Sequence, residues 1–204
     1  MAFFVRTAAV AACYMACTAG WSAAPAARPE SATSALLQRI QSTRDNQNRP
    51  FAILDKQRAT LHVFAADGRE RAASPVLLGL ARGDTSVPGI GERKIADILP
   101  EERTTPAGRF MTEPGLNTRN EDIVWIDYDA AVSMHRVRVA HKSERRLERL
   151  ATPTPDDNRI TYGCVNVPAQ FYDTYIKPVF GRAEGIVYIL PESRTGKINT
   201  KTGL

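Results

Sequence analysis

Cys164 is the residue of this chain best suited to covalent chemistry. The chain holds three cysteines, and the other two, Cys13 and Cys17, lie in a segment with the grammar of a removable export signal. The mature protein is therefore expected to reach an oxidising compartment with one unpaired thiol. A thiol becomes a good nucleophile when a nearby imidazole accepts its proton and pairs with the thiolate. Three histidines are available: His62, His135 and His141. His62 falls inside a strand pattern and is read as an ordinary strand residue. His135 and His141 precede Cys164 by 29 and 23 residues, and the fold can return either to the thiol. Gly163 permits a sharp turn, so that amides around Tyr162, Gly163 and Cys164 can face a carbonyl oxygen under attack. The competing reading makes Cys164 a small buried hydrophobe and Gly163 a bend, and the residues alone leave both open.

Other chemistries are poorly served. No Cys-x-x-Cys or His-x-x-x-His spacing occurs, which argues against a structural zinc site. No serine stands in a nucleophile-elbow pattern, and no glycine-rich loop has phosphate-binding order. The formal charge of +5 is dispersed, fitting a mildly basic solvated surface rather than a nucleic-acid site.

The elements that must position these groups follow from periodicity. Phe51–Asp55 and Thr60–Ala65 read as two strands joined by a polar turn, and Arg71–Leu80 as a third after Asp67-Gly68. Gly79–Gly108 reads as a long glycine- and proline-rich loop. Ile123–Tyr128, Ala131–Ala140 and Gly185–Leu190 read as further strands. Ser34–Arg44, Glu144–Leu150 (with Ser143 as its cap) and Pro168–Phe180 read as helices. Trp125, Tyr128 and Phe110 are read as core residues. The expectation is a mainly β domain, a sandwich or partial barrel with two or three short helices.

Residues 1–23 carry one positive charge, Arg6, then an apolar run too short to span a membrane and small residues at a cleavage site. Cys13 follows Val10-Ala11-Ala12 as a lipid-accepting cysteine would, but that block lies too close to Arg6, and Cys17 has Tyr14 where an aliphatic residue is wanted. The expected organisation is a signal peptide at 1–23, a leader with a short helix at 24–50, one domain at 51–190 and a polar tail at 191–204. No later stretch is apolar enough to form an integral membrane segment, so an exported, periplasmic or wall-associated protein is expected.

Two segments together carry a family resemblance. Thr105-Pro106-Ala107-Gly108-Arg109-Phe110 resembles the Thr-Pro-x-Gly-x-Phe segment of the YkuD-type L,D-transpeptidases. Thr161-Tyr162-Gly163-Cys164-Val165-Asn166 resembles their nucleophile motif, with Tyr162 where the family usually has histidine. Leu54 to Phe64 is similar to their opening hairpin. The resemblance implies an L,D-transpeptidase-like β domain that remodels peptidoglycan stem peptides through a Cys164 thioester, without metal or organic cofactor. It implies covalent inhibition by carbapenems. With water as acceptor the same thiol would give a carboxypeptidase or amidase, and without catalysis a wall-binding protein. For the base, spacing favours His141 and strand context favours His135, and context is given the greater weight. Both numbers have the same strand parity, so alternation does not separate them. Asn166 and Arg159 are the candidate substrate contacts; the plainer reading of Arg159 is a surface arginine.

Overall fold

The computed structural model describes residues 31–139 and 141–192. The expected signal peptide, the first part of the leader and the tail beyond Glu192 lie outside the described residues. Helix α1 (Ala32–Thr43) opens on Ser31, whose Oγ accepts the Ser34 N–H at 3.0 Å. Its apolar face, Leu36, Leu37 and Ile40, packs on Phe51, Ile53, Phe64, Ile186, Tyr188 and Leu190. The segment expected as a leader thus belongs to the domain from α1 onward.

Strands β1 (Phe51–Asp55), β2 (Thr60–Phe64) and β3 (Glu70–Pro75) form an antiparallel meander, and β4 (Leu78–Gly79) follows. A long loop leads to β5 (Gly108–Leu116), β6 (Asp122–Asp127) and β7 (Val132–Arg136). Helix α2 (Arg146–Ala151), β8 (Arg159–Thr161) and β9 (Val165–Val167) come next. Then α3 (Ala169–Phe171) runs through a π turn (Tyr172–Ile176) into α4 (Lys177–Phe180), and β10 (Gly185–Ile189) closes the order. Eight strands make one sheet in the order β3-β2-β1-β10-β5-β6-β7-β9. The sheet nearly closes, because Leu77, just past β3, exchanges both backbone hydrogen bonds with Asn166 of β9 at 2.9 Å each. The architecture is mainly β, as the periodicity predicts.

Strand alternation assigns the core. On β1 and β10, Ala52, Leu54, Val187 and Ile189 face the main core with Val132, Met134, Val165, Val167, Tyr172 and Phe180. The alternate residues face α1, so both faces are buried and the sequence reads as an unbroken apolar run.

Several boundaries differ from the sequence reading. β5 falls where no strand is predicted, since Pro114-Gly115 reads as a breaker. The β10 pairing ends at Thr112 and the β6 pairing begins at Glu113, so Pro114 has a strand neighbour on one side only. Pro75 ends β3 early. Helix α2 starts at Arg146 after a 3-10 turn at Lys142–Glu144, so Ser143 does not cap it. Tyr128 is 75% exposed and stacks edge-on against a half-buried Trp125, so it is not core, whereas Phe110 packs against the main core.

Two clamps fix the long loop. Lys56 is fully buried, and its ammonium donates to Gly83 O at 2.6 Å, Asp84 Oδ1 at 2.8 Å and Thr105 O at 2.9 Å. Three acceptors match its three donors, which makes the burial of a charge tolerable. Thr105 is also fully buried; its Oγ1 accepts the Gly79 N–H at 2.9 Å and donates to Gly163 O at 2.8 Å.

Ile40→Ala should lower unfolding stability by about 3 kcal/mol, because it empties the centre of the α1 contact; a urea midpoint equal to wild type would detach α1 from the domain. Thr105→Val should cost about 2–4 kcal/mol, since a buried N–H and C=O lose their partner, while Thr105→Ser should retain most of the stability. Urea denaturation of the two variants side by side checks the difference.

Candidate active site

The turn between β8 and β9 is tied by its own side chains. Thr161 Oγ1 accepts the Gly163 N–H at 3.1 Å and donates to Cys164 O at 2.7 Å. Gly163 has φ 129°, in the region that favours glycine, and a Cβ there would sit 2.7 Å from Thr104 O. Glycine is required on both counts. The Arg103 guanidinium lies 4.0 Å from the centroid of the Tyr162 ring, and the ring is 39% exposed.

Strand β7 supplies the facing wall. Val132 and Met134 enter the core, which turns Ser133 and His135 the other way. Parallel pairing sets Met134 beside Val165 and His135 beside Asn166. The half-buried Cys164 thiol then has Ser133 Oγ at 3.7 Å and donates to Ala131 O at 3.5 Å, with His135 two residues beyond Ser133 on β7. His135 Nδ1 bonds the Arg136 carbonyl at 2.8 Å. A carbonyl only accepts, so Nδ1 carries a proton and the neutral ring presents a bare Nε2. Asn166 Nδ2 lies 3.1 Å from that Nε2.

The electrostatics of the pair are opposed. Burial alone would push the Cys164 thiol up, but the hydrogen bond and charge of His135, helped by Ser133, hold it below the ordinary thiol value. Burial alone would push His135 down, but its bond and attraction to Cys164 raise it above the ordinary imidazole value. Each shift eases transfer of the thiol proton to the imidazole. An arrangement of this kind can attack a carbonyl and carry a proton to and from the reacting group.

The other predicted residues separate. His141 is exposed and leads into the 3-10 turn before α2. Arg159 is not a surface residue and is not offered to a ligand: it is buried, donates to Lys56 O at 2.7 Å and pairs with Glu192 at 2.9 Å. Glu192 also donates its N–H to Asp84 at 2.8 Å, so the start of the expected tail is anchored. Asn166 is 1% exposed, and both ends of its amide bond protein groups, His135 on one side and Arg146 on the other. The Gly163 N–H is committed to Thr161, which leaves the amides of Tyr162 and Cys164 as the turn's candidates to hold an oxyanion.

Sequence reasoning missed Ser133 and Arg146, and it named Thr161 in the motif without its role in tying the turn. The alternation Val132-Ser133-Met134-His135 carried the signal for Ser133. A cavity of about 410 Å³ beside the site is lined by His135, Arg136, Arg138, Glu121 and Asn117. A larger one, about 540 Å³, is lined by Asp84, Phe110, Asp127 and Tyr128, and neither Cys164 nor His135 lines it.

No family model matches the chain, and no curated protein matches it. Among solved structures, the chain is similar to the catalytic domain of an L,D-transpeptidase from E. faecium, determined by NMR. The two are 17% identical, the match covers 70% of this chain and 98% of that one, and the TM-score is 0.38.

Proposed function

We propose that this chain is a cysteine L,D-transpeptidase that acts on peptidoglycan stem peptides outside the cytoplasmic membrane. The observation that carries the reading is the face that the Cys164 thiol shares with Ser133 and His135, with His135 Nδ1 tied to the Arg136 carbonyl and its unprotonated Nε2 beside the Asn166 amide. Support also comes from the Thr161–Asn166 and Thr105–Phe110 motifs, which the Thr105 hydroxyl joins.

In this reading the Cys164 thiolate attacks the carbonyl of an L-centre to D-residue bond. Negative charge collects on the carbonyl oxygen and is met by amides of the turn, those of Tyr162 and Cys164. The C–N bond breaks, His135 gives its proton to the departing amine, and the terminal D-amino acid leaves. The acyl group remains as a thioester on Cys164. An acceptor amine then attacks, His135 takes its proton, and the thiol leaves with the new amide bond formed. No metal or organic cofactor enters any step. Residues 1–23 would direct export.

Incubation with a carbapenem should add one covalent adduct by intact mass, absent in Cys164→Ala; an adduct that persists in that variant would remove the thiol from the mechanism. His135→Ala should slow acylation by roughly 10²–10⁴-fold and His141→Ala should leave it near wild type; the reverse pattern would make His141 the base. Muropeptide analysis separates acceptors: new cross-links support transfer, and shortened peptides without them assign water.

The pH dependence has a definite sign. His135 stabilises the thiolate, so iodoacetamide alkylation of Cys164 should reach its half-maximal rate below the ordinary thiol value of about 8.5. In His135→Ala burial acts without that compensation and the midpoint should move upward. A midpoint unchanged by the substitution would show that the imidazole does not act on the thiol.

A further inference from the structure

The segment between β7 and β8 carries the short charged helix α2. Its first helical residue, Arg146, donates to Asn166 Oδ1 at 2.5 Å. Asn166 Nδ2 in turn lies 3.1 Å from His135 Nε2, and His135 Nδ1 bonds Arg136 O at 2.8 Å. The direction of this chain is fixed at both ends. A guanidinium only donates, so the amide oxygen must face Arg146 and the amide nitrogen must face His135. A carbonyl only accepts, so the imidazole proton sits on Nδ1.

We propose that Arg146 is a positioning residue: acting through Asn166, it holds His135 with an unprotonated Nε2 beside the thiol. This inference rests on Cys164 and His135 being the working pair.

Arg146 is itself held, by Glu144 at 2.7 Å through Nε. Asn166 cannot swing away, because its backbone N–H and C=O both pair with Leu77. Only the amide can turn over, by half a rotation about its last bond. In the turned state Oδ1 would face Nε2 and accept a proton from it, favouring imidazolium or the wrong tautomer. Arg146 opposes that turn, because the turned amide would set its nitrogen, a donor, against the guanidinium, which only donates; removing the guanidinium removes the opposition.

Charge acts in the same direction. The groups that act on the ring are the Cys164 thiol from the β8–β9 turn and the Arg136 carbonyl, which favour protonation, and Arg146 from α2, which opposes it. Glu144 is engaged by Arg146. On the cavity side stand Glu121, Asp122, Arg136 and Arg138, with Asp122 engaged by Arg136. Loss of Arg146 thus removes a positive neighbour and frees the amide, and both raise the proton affinity of His135.

The test is the titration of the imidazoles by ¹H–¹⁵N NMR, free of substrate or β-lactam, with His62 as the internal reference. Arg146→Ala should move the His135 midpoint up by about half a pH unit, a threefold gain in proton affinity. Arg146→Lys, which keeps a donor and the charge, should restore it. Arg149→Ala removes a neighbouring guanidinium of the same helix, bonded to Glu144 O and Asp157 O, and should leave His135 unmoved. If Arg146→Ala does not fold, Arg146→Met, which retains the stem packing, takes its place with the same expected shift. A folded Arg146 variant with an unmoved His135 midpoint, or an equal shift in Arg149→Ala, overturns the proposal. The outcome is independent of the carbapenem test: a failed adduct would refute the transpeptidase reading, whereas this titration reads only the coupling of Arg146 to His135.

Discussion

The parallel pairing of β7 with β9 is the constraint on which the site depends. It places His135 opposite Asn166 and Met134 opposite Val165. Because side chains alternate along each strand, Val132, Met134, Val165 and Val167 all enter the core while Ser133, His135 and Asn166 share the other face. A slip of one residue would bury the imidazole and expose methionine, so the hydrophobic core enforces the geometry of the polar face. Cys164 lies one residue before β9 and is carried into place by the same register. The core residues that look unrelated to chemistry are therefore what aligns the pair.

That polar face is a balance between desolvation and partnership. Burial opposes charge on both the thiol and the imidazole. Each becomes the more easily charged because the other is beside it, so neither perturbation can be understood from its own residue. Ser133 lies against the sulfur and Asn166 against the ring, and neither carries a charge. The nearest formal charge acting on the ring, Arg146, sits one hydrogen bond further away, where it limits the basicity of the imidazole without pairing with the thiolate.

What was legible in the sequence had local periodicity or local turn chemistry. Phe51–Asp55, Thr60–Phe64 and Gly185–Ile189 are short apolar runs with turn signals at their ends, and they are strands. Cys164 was legible because the other two cysteines lie in the segment read as an export signal and because it follows glycine. The strand context that favoured His135 over His141 reflects the alternation that the β7–β9 pairing uses. What was not legible depends on distant partners. Pro114 reads as a breaker unless the ends of β10 and the start of β6 are known. Lys56 and Arg159 read as surface cations, yet they are buried, because Asp84, Glu192 and loop carbonyls more than twenty positions away meet them. Asn166 reads as a residue that faces a ligand, and only the placement of α2 shows that its amide is taken.

The two motif segments become one unit in the fold. Arg103 stacks on Tyr162, the Thr104 carbonyl fills the space a side chain at position 163 would need, and the Thr105 hydroxyl bonds the Gly163 carbonyl. Three consecutive residues of one segment thus grip two consecutive residues of the other. The Lys56 ammonium reaches the same stretch through the Thr105 carbonyl, so the opening hairpin is joined to the Cys164 turn by two hydrogen-bond steps. The Tyr162 ring takes the Arg103 guanidinium on its face, while the backbone beneath it is held separately by Thr104 and Thr105, so the hold on the turn does not depend on the ring.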